Sequence, residues 1–246
     1  MKTYVISDVH GLWPKFSDFV DTLEADDIVY VLGDVIDRGP EGIQILQYIM
    51  DHPEQFKMLI GNHEDMMRRY IEATKGVDLE KASYFQIKEI RRLYDWWVIR
   101  NQGEPTLEDY ERLSDSKQEK VHQFIKNLPV AYTNVKVGEN IFYLVHSTAD
   151  DLEKEVVLQS DLKELDEIKR FIWTRPTDIE DYYVDGKIVV SGHTITFKHH
   201  GKLEIYISKD KNGDIRYIDI DCGCAMNIKE SKLAALCLDD LSVRYF

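Results

Sequence analysis

Apolar positions along this chain fall into two rhythms. Tyr4-Val5-Ile6, Ile28 to Leu32 and Met58-Leu59-Ile60 are short, nearly continuous runs that give way at once to glycine or polar residues. Strands buried on both faces read this way when they end in a polar loop. Between them the spacing is helical. Leu12, Phe16, Phe19, Val20 and Leu23 share one stripe, with Pro14 in the first turn, and Ile43, Leu46 and Met50 mark a second helix over 41–50. The order strand-helix-strand-helix-strand predicts right-handed parallel crossovers. Residues from about 64 to 129 are charged and helical in pattern, broken at Gly103-Glu104-Pro105, with Thr106 and Asp109 as the capping start of the next helix. They form an expected helical insert within one domain spanning 1–246. Strand patterns return at Ile141 to Val145, Ile188 to Val190, Leu203-Ile205-Ile207 and Ile215 to Ile220. Turn residues at Gly201 and Asn212-Gly213 predict that this half is antiparallel.

Composition narrows the class. With 246 residues and 43% hydrophobic content a substantial core can be buried, and the 31% charged fraction is that of a soluble chain. No apolar run approaches the roughly 18 residues of a membrane span. The opening Met1 to Asp8 is too short and too soon acidic for a secretory signal. Cys222, Cys224 and Cys237 are odd in number and crowded, so no disulfide framework is expected and the cytoplasm is the expected compartment. The net charge of −14 disfavours a nucleic-acid partner and leaves small phosphorylated ones open.

Candidate chemistry sits at strand ends. Asp8-Val9-His10, Gly33-Asp34, Gly61-Asn62-His63, Val145-His146 and Gly192-His193 each follow an apolar run. One such residue alone is more often a turn former; five strand ends together point to a shared crevice. Imidazole, carboxylate and amide oxygen suit manganese, iron or zinc, and the lack of thiolates argues against a structural zinc. Asp8 and His10 can hold one ion, Asp34 can bridge two, and Asn62, His146 and His193 can complete the second. Ions about 3.5–4 Å apart would hold a bridging hydroxide and clamp an in-line phosphoryl displacement.

Ser7-Asp8-Val9-His10-Gly11, Gly33-Asp34-Val35-Ile36-Asp37-Arg38-Gly39, Gly61-Asn62-His63-Glu64, Val145-His146 and Gly192-His193-Thr194 resemble the calcineurin-like metallophosphatase superfamily, and within it the phosphoprotein phosphatase branch. The similarity runs from residue 5 to about 224, apart from the helical stretch. Nuclease and phosphodiesterase relatives carry Gly-His-x-His, where this chain has Ile195, and they lack the arginine after Asp37. Ile220-Asp221-Cys222-Gly223-Cys224 resembles the bacterial-type serine/threonine phosphatases. The resemblance implies an α/β fold: a metallophosphatase-type β-sandwich of two mixed sheets flanked by helices. It further implies two divalent transition-metal ions, manganese first with iron or zinc as alternatives. His63 becomes the acid for the leaving group and Asp37 its partner; Arg38 and Arg175, in Phe171-Ile172-Trp173-Thr174-Arg175, become the cations on the phosphoryl oxygens. The chain departs at His146-Ser147-Thr148, where Ala-Gly is usual; a β-branched Thr restricts the backbone there, with a narrower pocket, a different substrate choice or a lower activity as the open consequences. Ile195 also replaces a usual proline.

The first expectation is thus a phosphomonoesterase acting on phosphoserine, phosphothreonine or phosphotyrosine of a protein, or on a small phosphoester, without nucleic acid or membrane. A symmetrical dinucleoside-tetraphosphate hydrolase uses the same ligands and stands as the alternative. A decayed binding or scaffold protein is disfavoured because all six ligands and His63 are present. His199-His200 and Lys229 with Lys232 are expected to face solvent, Trp96-Trp97 to pack against the body, and Cys222-x-Cys224 to be structural.

Overall fold

The computed structural model describes every residue except 151, 153, 163, 164 and 227. Two mixed sheets with helices outside them build the fold. The first sheet holds β1 (Thr3–Ile6), β2 (Ile28–Val31), β3 (Phe56–Met58), β10 (Ala234–Cys237) and β11 (Val243–Tyr245), in the order β11-β10-β1-β2-β3. The second holds β4 (Pro129–Val137), β5 (Asn140–Val145), β6 (Val156–Leu158), β7 (Ile188–Ser191), β8 (Tyr206–Lys209) and β9 (Ile215–Asp219), in the order β6-β4-β5-β7-β9-β8. Successive side chains on a strand take opposite faces. Val5, Leu32, Leu59, Phe142, Leu144, Val190, Ile218 and Leu236 therefore meet between the sheets. Their neighbours Tyr4, Ile6, Tyr143, Val145, Val189 and Tyr217 pack in the second core, together with helix residues such as Phe16 and Phe19. Burial on both faces explains the unbroken apolar runs.

Helices α1 (Trp13–Val20) and α2 (Gly42–Asp51) are the crossovers joining β1, β2 and β3, which pair in parallel as the sequence predicts. Between β3 and β4 the chain is helical: α3 (Asn62–Thr74), α4 (Tyr84–Tyr94), a π-helical turn (Asp95–Ile99), α5 (Glu104–Glu111) and α6 (Asp115–Asn127). Thr106 does not cap a helix; it lies inside α5, buried, and its Oγ1 accepts the Asp37 N–H at 2.8 Å. Two short helices follow, α7 (Leu165–Trp173) and α8 (Phe197–His200).

The second half is not antiparallel throughout. β5-β7-β9, the centre of the second sheet, pair in parallel; β4, β6 and β8 make the antiparallel pairs of that sheet. Asn212-Gly213 turns the local β8-β9 hairpin, and that signal does not extend to strands joined by longer connections. No helix among the described residues is long and apolar enough to cross a membrane.

Candidate metal centre

The ends of β1, β2, β5 and β7 and the first turn of α3 open on one side of the sandwich, and every strand-end residue singled out above lies buried there. Asp8, His10, Asp34, Asp37, Arg38 and His193 all adopt positive φ, between 50° and 69°. Non-glycine residues rarely take this conformation, and such strain gathers at functional sites where the surroundings enforce it. Neighbouring chain is correspondingly close. A Cβ on Gly61 would run into the Asp34 carboxylate, and one on Gly192 into Asp8 and Ser7.

Two groups of donor atoms, each within 4.8 Å of one another, share Asp34: His10, Asp34 and His63, and Asp34, His146 and His193. Asp34 Oδ2 lies 3.9 Å from His10 Nε2, 3.9 Å from His63 Nε2 and 3.4 Å from His146 Nε2. Asp8 Oδ1 stands 3.8 Å from His10 Nε2, and Asn62 Oδ1 is 3.1 Å from His146 Nε2. His10 Nδ1 is fixed by the Ile36 carbonyl at 2.9 Å, and His146 Nδ1 by the Leu32 carbonyl at 2.8 Å. Each ring thereby turns Nε2 toward the cluster, the usual second contact of a metal-binding imidazole. His10 Nε2 is buried with no hydrogen-bond partner among the described residues, as suits a lone pair reserved for a cation. His193 is oriented the other way, with Nε2 3.3 Å from the Trp173 carbonyl and Nδ1 3.4 Å from Arg175 Nη2.

Charge within the cluster follows from burial and neighbours. Burial pushes His10 and His193 well below the usual imidazole range, with Arg38 and His63 adding to it at His10 and His146 and Arg175 at His193. Both are neutral and able to donate a lone pair. Burial opposes ionisation of Asp34, yet the His146 and His63 imidazoles outweigh it and hold the carboxyl well below its ordinary value. His146 behaves as the counterpart: burial disfavours its charge, and Asp34 more than compensates, raising it to about 9. The donor set fits a pair of divalent cations.

His63 lies in the first turn of α3, its ring 4.7 Å from that of His10 between centres. Its Nδ1 is 2.6 Å from Asp37 Oδ2, and Arg38 Nη2 comes within 3.3 Å of Nε2. Burial works against the imidazolium, but Asp34 and Asp37 prevail and raise the pKa of His63. Trp97, completely buried in the π-helical turn, donates its indole N–H to the same Asp37 oxygen at 2.8 Å. Trp96-Trp97 therefore does more than pack: Trp97 orients Asp37, and Trp96 stacks on Trp173 at 5.2 Å between ring centres. Arg175 is brought to the site as well, its Nη2 3.2 Å from the His193 carbonyl.

Ser147 and Thr148 do not reach into the cluster. Their hydroxyls bind the carbonyls of Thr174 and Arg170, and Ser147 N–H donates to Phe171 O at 2.8 Å. They tie the end of β5 to α7 and to the segment bearing Arg175. His199 departs from its solvent-facing reading too. Its Nε2 is 2.9 Å from buried Asp219 and its ring stacks on Tyr206, whereas His200 is exposed.

Glu64, Asp219 and Asp221 were not singled out by sequence reasoning. Glu64 is fully buried and accepts the backbone N–H groups of Asp34 at 2.8 Å, Val35 at 2.9 Å and Gly61 at 3.0 Å. Burial and Asp34 push its carboxyl up to about 7, against the Asp34 and Val35 N–H donors and the His146 charge. Its only signal was its place after Asn62-His63. Burial holds Asp219 and Asp221 well above the carboxylate range, with the Asp8 charge reinforcing it. Glu64→Gln puts an amide nitrogen against a backbone N–H. The expected cost is about 1–3 kcal/mol, read as a lower urea midpoint for the metal-free protein; an unchanged midpoint would show that Glu64 does not brace the Asp34 turn.

A two-sheet sandwich whose strand ends gather buried imidazoles and carboxylates defines the class of metal-dependent hydrolases built on this fold. The calcineurin-like phosphoesterase family model matches residues 1–197, and the chain belongs to that family, whose members carry a dinuclear divalent metal centre on a phosphoester-hydrolysing site. A symmetrical bis(5'-nucleosyl)-tetraphosphatase of Buchnera aphidicola subsp. Baizongia pistaciae (strain Bp) is 31% identical over 67 residues, 26% of this chain and 24% of the relative. The chain thus spans about a quarter of the length of that curated relative. A solved structure described as a putative diadenosine tetraphosphatase matches with a TM-score of 0.53 at 12% identity, covering 100% of this chain and 92% of the other. A protein serine/threonine phosphatase from Saccharomyces cerevisiae matches at 0.54 and 13%, over 100% and 79%. At such identities the two structures speak for the fold alone.

Proposed function

We propose that this chain hydrolyses a small nucleotide polyphosphate, a symmetrical dinucleoside tetraphosphate, with two divalent ions held by Asp8, His10, Asp34, Asn62, His146 and His193. The observation that carries this reading is the placement of two guanidinium groups on the two donor groups: Arg38 beside His63 and Arg175 beside His193. A pair of separated cations suits successive phosphates of a chain, each accepting charge-assisted hydrogen bonds. The Trp96-Trp173 stack beside Arg175 offers a ring edge and face for a nucleobase. The name of the Buchnera relative also favours this substrate over the phosphoprotein expected from sequence.

When bound, the ions supply Lewis acidity toward the phosphoryl group and its attacking water. Manganese is the expected metal, with iron or zinc accepted by the same donors. Arg38 and Arg175 neutralise non-bridging oxygens. His63 holds a proton for the leaving oxygen at Nε2, while Asp37, itself oriented by Trp97, fixes Nδ1. We read the whole chain as one catalytic unit with 64–129 as its helical insert, and place it in the cytoplasm, where buried Cys222, Cys224 and Cys237 stay reduced.

The test is a kcat/KM comparison of manganese-loaded protein on diadenosine tetraphosphate, a phosphoserine peptide and 4-nitrophenyl phosphate. Diadenosine tetraphosphate should lead by about tenfold or more, and ADP should be the sole product. ATP plus AMP would contradict symmetrical cleavage, a phosphopeptide preference would restore the protein-phosphatase reading, and no turnover of any substrate would favour the scaffold.

A further inference from the structure

A cavity of 490 Å³ lies among α3, α4, α5 and α6, within the size range of small-molecule sites. Its apolar wall is formed by Tyr70 and Ile71 of α3, Leu79 of the following loop, Ile90 of α4, and Leu107 and Tyr110 of α5. One polar side chain stands out in this lining. His122 of α6 is only 6% exposed, yet neither ring nitrogen has a hydrogen-bond partner among the described residues. The carboxylate oxygen nearest to it in ion-pair range, Glu72 Oε1, is 3.7 Å away, too far for a hydrogen bond. Buried polar groups without partners are uncommon in folded proteins and ask for an explanation.

Charge at the mouth is one-sided. Lys75 is engaged by Glu119 at 2.8 Å, while Glu111 and Asp115, both exposed, carry no ion pair among the described residues. We propose that the cavity binds a small hydroxylated aromatic amine: the ring against the apolar walls, the hydroxyl on His122, and the ammonium at Glu111 and Asp115. An imidazole offers one donor and one acceptor, which a hydroxyl can satisfy in either direction.

This site touches the catalytic machinery through packed side chains. Tyr70 lines the cavity and meets the Trp97 ring at 5.5 Å, Trp97 donates to Asp37, and Asp37 holds His63. α3 itself begins at Asn62-His63. A ligand seated against Tyr70 thus bears on the orientation of Asp37, and its presence changes turnover. That last consequence rests on the phosphohydrolase reading; binding does not.

Calorimetric titration of the full chain with tyramine (4-(2-aminoethyl)phenol) tests the site without reference to catalysis. Saturable one-to-one binding is expected, about tenfold weaker in His122→Leu and weaker again in Ile90→Trp, which narrows the cavity. Circular dichroism verifies that both variants are folded. The anionic counterpart 4-hydroxyphenylacetate should bind about tenfold less tightly than tyramine. No saturable binding of tyramine, equal binding by folded Ile90→Trp, or equal binding of the anion overturns the proposal. With manganese-loaded protein, tyramine at a concentration that saturates wild type should shift 4-nitrophenyl phosphate turnover about fivefold, and by less in Ile90→Trp. Unchanged turnover with binding intact overturns the link to Asp37, and a protein that binds tyramine but hydrolyses nothing refutes the phosphohydrolase reading instead.

Discussion

Asp34→Asn is expected to release both ions and reduce phosphoester hydrolysis by about a thousandfold or more, since the ions supply several kcal/mol of transition-state stabilisation. Asp34 is the one residue shared by the two donor groups. Its Oδ2 faces His10, His63 and His146, while Oδ1 accepts the His63 N–H at 3.0 Å. Asparagine keeps a single oxygen. Either that oxygen serves the cations and the amide nitrogen clashes with the His63 N–H, or it serves the backbone and leaves nitrogen facing the ions. The negative charge that offsets two dications in a buried site is lost in both cases. Metal content by plasma emission spectroscopy and the rise in Tm on adding manganese are the two readouts, because a cation that binds only the folded state raises Tm. Full occupancy with normal turnover would refute the shared role of Asp34. Loss of fold in the metal-free variant is separable by circular dichroism before metal is added.

The strand-end pattern was legible because central strands buried on both faces yield unbroken apolar runs, and the polar residue that follows each run marks its end. β1 and β2 were visible for this reason. β4 was not: Tyr132-Thr133-Asn134 is polar at its bulge, where the register against β5 shifts between Tyr132 and Val135. β10, Ala234-Ala235-Leu236-Cys237, has no β-branched residue to mark it as a strand, although all four positions are buried. The predicted run Met58-Leu59-Ile60 overshot β3, which ends at Met58. Leu59 nevertheless continues the ladder through its N–H to Val31 O, and Ile60 bonds across to Pro129 O.

The site divides along similar lines. Residues at strand termini could be recognised from their own local sequence. Those that act on them from a distance could not: Trp97 reaches Asp37 across 60 positions and Thr106 across 69. Glu64 works on backbone amides of Asp34 and Val35, and a carboxylate in a helix's first turn reads as an ordinary favourable dipole partner. Ser147 and Thr148 drew attention as a departure, but where their hydroxyls point depends on α7, which folds back from later in the chain. Chemistry at strand ends is local, whereas the bracing of that chemistry is tertiary.

His63→Asn is expected to lower kcat by about 10²–10⁴ while both ions remain bound. Two roles for His63 compete in the geometry. It falls within one donor group with His10 and Asp34, so it could ligate an ion. Its Nδ1 is held by Asp37 at 2.6 Å, an arrangement open to a ligand or to an acid, and Arg38 stands 3.3 Å from Nε2, the nitrogen that would meet a metal. Arg38 disfavours the imidazolium as well, but Asp34 and Asp37 outweigh it and the burial and raise the pKa of His63, which favours the acid role. Metal analysis separates the two, since loss of an ion in His63→Asn would make it a ligand. Leaving-group dependence gives a second readout that a purely structural role would not move. An acid contributes most where the departing oxygen is strongly basic, so the variant's deficit should be larger for phenyl phosphate than for 4-nitrophenyl phosphate. An equal deficit on both would remove His63 from proton transfer. Asp37→Asn should reproduce the same leaving-group dependence in weaker form, because asparagine still accepts from Trp97 and His63 but no longer favours the imidazolium.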